Sequence, residues 1–144
     1  MIGKNVDMPS LLETNKFDCR VSSVLNKNVR SYGKKYMFDQ SDETCWNSDS
    51  GSPQWVLINF EEECNVSSFE IEFQGGFAGK DCHVEAGSDE KNMSIIEAFR
   101  PKDINKLQRF NLKNQIRAKT FKFVFNQSTD FFGRIIIYNL SLYT

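Results

Sequence analysis

Apolar side chains at every second position limit what this chain can fold into more than any other feature. In SSFEIEF (67–73), Phe69, Ile71 and Phe73 alternate with Ser68, Glu70 and Glu72. In KTFKFVF (119–125), Phe121, Phe123 and Phe125 recur against Lys122 and Val124. Successive side chains of a strand point to opposite faces, so this spacing describes strands with one face in a core. RVSSVL (20–25), QWVLINF (54–60), CHVEAGS (82–88), MSIIEAF (93–99), LQRFNL (107–112) and GRIIIYNLSLY (133–143) read the same way. In the last, Ile136, Tyr138, Leu140 and Leu142 form one predicted face. Ile135, Ile137, Asn139 and Ser141 form the other, which turns polar halfway, as in a strand leaving the core. No stretch longer than about ten residues keeps a helical period. Turn-forming segments at 48–53 (SDSGSP), 74–80 (QGGFAGK) and 126–130 (NQSTD) separate the strands. The expectation is an all-β fold, an antiparallel jelly-roll β-sandwich of about eight strands. Parallel α/β architecture is disfavoured because the crossover helices it needs are missing.

At 144 residues the chain is one domain, predicted as a partly ordered lead-in over 1–17 and a sandwich over 18–144. Its 18 basic and 19 acidic residues nearly cancel, so no global field draws it to nucleic acid or an anionic membrane. The first residues, MIGKNVDMPSLLETNK, lack an apolar run of signal-peptide length, and the longest such run anywhere is IIIY at 135–138. A protein that is not secreted is therefore expected. Cys19, Cys45, Cys64 and Cys82 form no CxxC pair and have no histidine at metal-ligand spacing, so they are read as small buried hydrophobes.

Catalysis finds no support. The one histidine, His83, follows Cys82 in a predicted strand, and adjacent strand residues face opposite ways, which argues against a Cys–His dyad. No Ser or Cys stands in a nucleophile motif. The loop FDQSDETCWNSD (38–49) lacks the ligand spacing of an EF-hand. Asp39, Asp42 and Thr44 suit turn-capping there. Trp46 is assigned to closing one end of the sandwich, and Trp55 to the start of a strand, both as structural residues. KNVRSYGKKY (27–36) interleaves cations with aromatics, a pattern of phosphate and nucleic-acid sites, but a single such loop is read as a solvated one. In TDFFGR (129–134), one of Phe131 and Phe132 must face outward if the segment is a strand, placing an aromatic beside Arg134 at a loop mouth.

Taken in order, RVSSVLN, FDQSDETCWNSD, QWVLINF, VSSFEIEFQGGF and TDFFGRIIIYNLSL resemble a discoidin-like, coagulation factor type C (galactose-binding-like) domain. The likeness spans about residues 20–143 and is closest to a single-domain family associated with orphan nuclear receptors. That resemblance implies an eight-stranded jelly roll in the nucleus or cytoplasm. It also implies a non-enzymatic module that binds an orphan nuclear receptor and represses its transcriptional activity. Relatives with structural calcium imply ligands at Asp39, Ser41, Thr44 and the Tyr36 carbonyl. Asn139 stands where their closing acid would be, which weakens the case for the ion, and no other cofactor is implied. Sugar- and lipid-binding relatives use loops that correspond to parts of 27–36, 47–52, 74–80 and 129–134. The matching candidates are Asn47, Gln74, Gly75, Gly76, Phe77, Phe131, Phe132 and Arg134. A peptide segment of a partner is the expected occupant, with a carbohydrate or phospholipid as the alternative.

Overall fold

The computed structural model describes residues 8–144, so the first part of the predicted lead-in, residues 1–7, lies outside the described residues. The alternation resolves into antiparallel strands β1 (Phe17–Val21), β2 (Trp46–Asn47), β3 (Gln54–Phe73), β4 (Gly79–Asp89), β5 (Asn92–Phe99), β6 (Leu107–Ser128) and β7 (Ile136–Tyr143). β3 and β6 are 20 and 22 residues long and serve both layers. In one layer β1, the first part of β3, the last part of β6, β4 and β5 are neighbours. In the other, the first part of β6, the last part of β3, β7 and β2 are neighbours. Counting β3 and β6 once per layer and setting aside the two-residue β2 gives the eight full strands of the expected sandwich.

Two segments read as separate strands, 54–60 and 67–73, are therefore one bent strand. Glu61, Glu62 and Glu63 at its corner are exposed. Val56, Ile58 and Phe60 face the core before the bend, whereas Phe69, Ile71 and Phe73 do so after it, a change from even to odd positions. Ladder irregularities between Asn59 and Cys64 and between Val66 and Ser68 make that change. An unpaired residue shifts the two-residue period by one, so the apolar set stays inward through the corner.

The same device corrects the predicted faces of the last strand. The core side is Ile135 and Ile137, then Leu140 and Leu142, not one continuous even-numbered row. The register passes from Glu72 opposite Asn139 to Phe73 opposite Ile137, which leaves Tyr138 without a partner as a bulge. Tyr138 turns out of the core and donates to Gln74 Oε1 at 2.8 Å.

Phenylalanines tie the layers together, with ring centroids 4.9 Å apart for Phe69–Phe123 and 5.6 Å for Phe73–Phe125. Each such pair adds roughly 0.5–1.5 kcal/mol beyond the burial of its rings. Trp46 is fully buried among them, whereas Trp55 faces outward from β3 and is only half-buried. Ahead of β1, Ser10 caps the short helix α1 (Leu11–Thr14). Its hydroxyl also bonds both the N–H and the carbonyl of Leu142, at 3.2 and 3.3 Å, and so pins this segment to β7. Among the described residues no helix is long and apolar enough to cross a membrane.

Candidate functional site

At one end of the sandwich, loops are locked together by a polar network that starts at Trp46. Its indole N–H donates to the Ser23 carbonyl at 2.9 Å. The Ser23 hydroxyl accepts from the Asp49 N–H at 2.9 Å and donates to Gln54 Oε1 at 2.8 Å. Ser22 also donates to that oxygen, while Gln54 Nε2 donates to the Gly51 carbonyl at 2.8 Å. Gln54 is buried with its side-chain amide bonded at both ends, which holds the 47–52 loop to the start of β3. The expected strand at 20–25 stops at Val21, where the Ser22 hydroxyl accepts the Trp55 N–H at 2.9 Å in place of a backbone carbonyl.

From there the network reaches the phenylalanines. Ser48 Oγ accepts from the Ile135 N–H at 2.8 Å, and the Gly51 N–H donates to the Phe132 carbonyl at 2.7 Å. Residues 129–134 form a turn rather than a strand, so both phenylalanines face out. Phe131 is 93% exposed and Phe132 64%. Their rings meet edge to face at 5.2 Å. Gly133 makes the turn possible with φ of +88°, and a Cβ there would sit 2.7 Å from the Gly51 carbonyl oxygen.

Next to this pair, the Arg134 guanidinium lies 4.8 Å above the Phe77 ring, and its Nε is 3.4 Å from Asp130 Oδ2. The 74–80 loop is held by two side chains that the sequence reading did not single out. Asn105 Oδ1 accepts from the Gly75 N–H, and Asp103 Oδ1 from the Gly76 N–H, both at 2.7 Å. Thr129 completes the junction, donating its hydroxyl to Asp103 and accepting the Ala78 N–H at 3.0 Å. Gln74, Gly75, Gly76, Phe77, Phe131, Phe132 and Arg134 thus belong to one rim.

Two sequence candidates do not. Asn47 lies beneath the rim, 7% exposed, with its Oδ1 buried and unbonded. Residues 27–36 hydrogen-bond, among the described residues, only within their own neighbourhood from Val24 to Phe38 and not to the other rim loops.

The loop considered for calcium holds itself. Asp39 Oδ1 accepts from the Ser41 N–H at 3.1 Å, and Oδ2 from the Thr44 hydroxyl. Ser41 Oγ in turn accepts from the Glu43 N–H at 3.2 Å. Asn139 faces Glu72 in the β3–β7 ladder and makes no hydrogen bond to the loop among the described residues. Among those residues no three His, Cys, Asp or Glu side chains cluster as metal ligands. Calcium takes roughly six to eight oxygens, with carboxylates setting the affinity. One carboxylate, already bonded through both oxygens, does not fit that demand.

Nor do Cys82 and His83 form a dyad. Cys82 is 2% exposed, and burial pushes its thiol up to about 12 from the ordinary 9.0. His83 has both ring nitrogens engaged, Nε2 with Glu85 at 2.8 Å and Nδ1 with Asn126 at 3.0 Å. A neutral thiol facing away from a saturated imidazole cannot act as an activated nucleophile.

Comparison with known proteins supports the fold. The family model for a NedA-like, galactose-binding domain of the F5/F8 type C class matches residues 36–123. The chain is 48% identical over 135 residues to a Danio rerio protein described as nuclear receptor 2C2-associated protein, covering 94% of this chain and 96% of that one. A Homo sapiens protein of the same description is 46% identical over 121 residues, covering 84% and 86%. Among solved structures, the Clostridium perfringens module CpGH89CBM32-5 in complex with GalNAc-beta-1,3-galactose superposes with a TM-score of 0.78 at 15% identity, over 94% of this chain and 99% of that one. The family 32 module of C. perfringens NanJ in complex with galactose gives 0.74 at 16% identity, over 89% and 93%. At such identities these two structures speak to the fold.

Proposed function

The chain belongs to the nuclear receptor 2C2-associated protein family, built on a galactose-binding-like domain, and on that footing we propose that it is a non-enzymatic binding module. Its rim engages an orphan nuclear receptor in the nucleus or cytoplasm and lowers that receptor's transcriptional output. One observation carries the reading: two adjacent phenyl rings, 93% and 64% exposed, stand on a turn that the Gly51–Phe132 hydrogen bond and the Ser48–Ile135 pair hold in place. Rigid exposed aromatics next to an arginine are what interface anchors are made of, because little conformational freedom is lost when they bind.

The test is retention on immobilised nuclear receptor 2C2 ligand-binding domain. Wild type is expected to be retained. The double variant Phe131→Ser, Phe132→Ser is expected to lose roughly 2–4 kcal/mol of binding, as for a pair of anchor residues. Its melting temperature should fall by no more than about 2–4 °C, since each exposed position contributes about 0.5 kcal/mol or less to stability. A wild-type chain that is not retained overturns the proposal.

A second reading has its own support in the galactose-bound modules of the same fold. There the rim takes a sugar, with a Phe132 or Phe131 ring against a pyranose face and Arg134 to its hydroxyls. Galactose titrated into labelled protein would then shift the amides of Gly75, Gly76, Phe77 and Arg134, and unmoved signals at millimolar sugar dismiss that reading.

A further inference from the structure

Away from the rim, the 27–36 loop closes a groove of about 750 Å³ against β1 and the start of β3. Val21, Val24 and the Trp55 ring make it apolar, and Val29 stands 64% exposed among its lining residues. Arg20, Arg30, Lys34 and Lys35 add four cations to the lining, which contains no carboxylate. Lys122 adds a cation from the side, with Nζ 4.7 Å over the Trp55 ring. Acids gather only on the far side of Arg20, whose guanidinium pairs with exposed Glu90 at 2.7 Å and lines a neighbouring depression with Asp18 and Asp89, so Arg30, Lys34 and Lys35 carry the groove's free charge among the described residues. This concentration of positive charge occurs in a chain whose overall charge is −1. Local structure builds it. The helical turn α2 (Val29–Tyr32) ends at Gly33, where a Cβ would lie 2.5 Å from the Val29 carbonyl oxygen. That close approach swings Lys34 and Lys35 back to the groove.

We propose that this groove docks a short acidic peptide carrying bulky apolar side chains, independently of whatever the rim binds. Cations at the edges meet the carboxylates, and the valines and indole take the apolar residues, a division that suits a mixed ligand. A nucleic acid fits less well. Its backbone needs a continuous polar track and open aromatic faces for its bases, and one face of Trp55 is already covered by Lys122.

The probe is a short fluorescein-labelled peptide alternating Asp with Leu, titrated in low salt and followed by anisotropy. Wild type should bind it saturably, with a change in Trp55 emission while the buried Trp46 stays constant. The exposed double variant Lys34→Glu, Lys35→Glu should raise Kd by roughly tenfold or more while its circular dichroism is unchanged. Val29→Ser should weaken binding a few-fold, and a peptide with Asn for Asp should bind as poorly as the charge-reversed variant allows. The rim variant Phe131→Ser should leave Kd where it was. The proposal is overturned by wild type that does not bind the peptide, by equal affinity in the charge-reversed variant, or by equal loss in the rim variant. It is also overturned if labelled oligothymidylate binds more tightly than the peptide, which would make the groove a nucleic-acid site.

Discussion

Trp46→Ala should cost about 4–6 kcal/mol of folding stability, read as the shift in urea midpoint. The indole is fully buried, so its loss opens a cavity, and Trp→Ala changes in cores typically cost about 3–5 kcal/mol. About 1 kcal/mol more follows from leaving the Ser23 carbonyl without the indole N–H. Domains of this size hold about 5–15 kcal/mol in total, so the variant forfeits from about a quarter to all of that stability. Trp46→Phe keeps much of the volume and forfeits chiefly the hydrogen bond, for about 1–2 kcal/mol. β2 pairs with β7 through Trp46 and Asn47 alone, so melting that contact also frees the loop that supports Phe132. Equal stability in wild type and Trp46→Ala would remove the indole from the role assigned to it.

Gly133→Ala should cost about 2–5 kcal/mol and disable the rim at the same time. A φ of +88° disfavours any residue with a Cβ, and here that atom would also press on the Gly51 carbonyl oxygen at 2.7 Å. Left-handed backbone costs roughly 1–2 kcal/mol and overpacking against backbone another 1–3. The Gly51–Phe132 hydrogen bond lies at the point of conflict, so the turn should move and carry both phenylalanines with it. Gly76→Ala is the matched control. Its φ is +89°, but nothing lies within 4 Å of the added Cβ, so only the same conformational cost of roughly 1–2 kcal/mol applies. Thermal melting and receptor retention together check this: Gly133→Ala loses both, and Gly76→Ala keeps retention. Similar behaviour in the two variants would show that the Gly51 contact is not what fixes the turn.

The sandwich was legible because its signal is local. Phe69, Ile71 and Phe73, and Phe121, Phe123 and Phe125, announce their own faces within seven residues. What stayed hidden was the joining of 54–60 to 67–73 and the switch at Tyr138, since a bulge is defined by the partner strand and leaves no mark in its own spacing. The rim divides along the same line. Phe77, Arg134 and the phenylalanine pair stood out as large residues in turn-rich stretches, although strand reasoning allowed only one outward phenylalanine where the turn presents two. Asp103 and Asn105 were missed because they reach back nearly thirty residues to cap Gly75 and Gly76, and nothing in the lone segment at 101–106 advertises that errand. Asn47 erred the other way, being polar and in a loop-rich stretch yet drawn into β2 and buried. For KNVRSYGKKY, the composition suggested charge without showing that Val21, Val24 and Trp55 would give that charge an apolar floor.

Amide hydrogen–deuterium exchange on the chain alone and in complex with the nuclear receptor 2C2 ligand-binding domain tests whether the rim is the recognising surface. Slowed exchange is expected at 129–134 and 74–78, with β4 and β5 unchanged. Complex formation that leaves both rim segments exchanging as in the free chain, with protection confined to other strands, would contradict it.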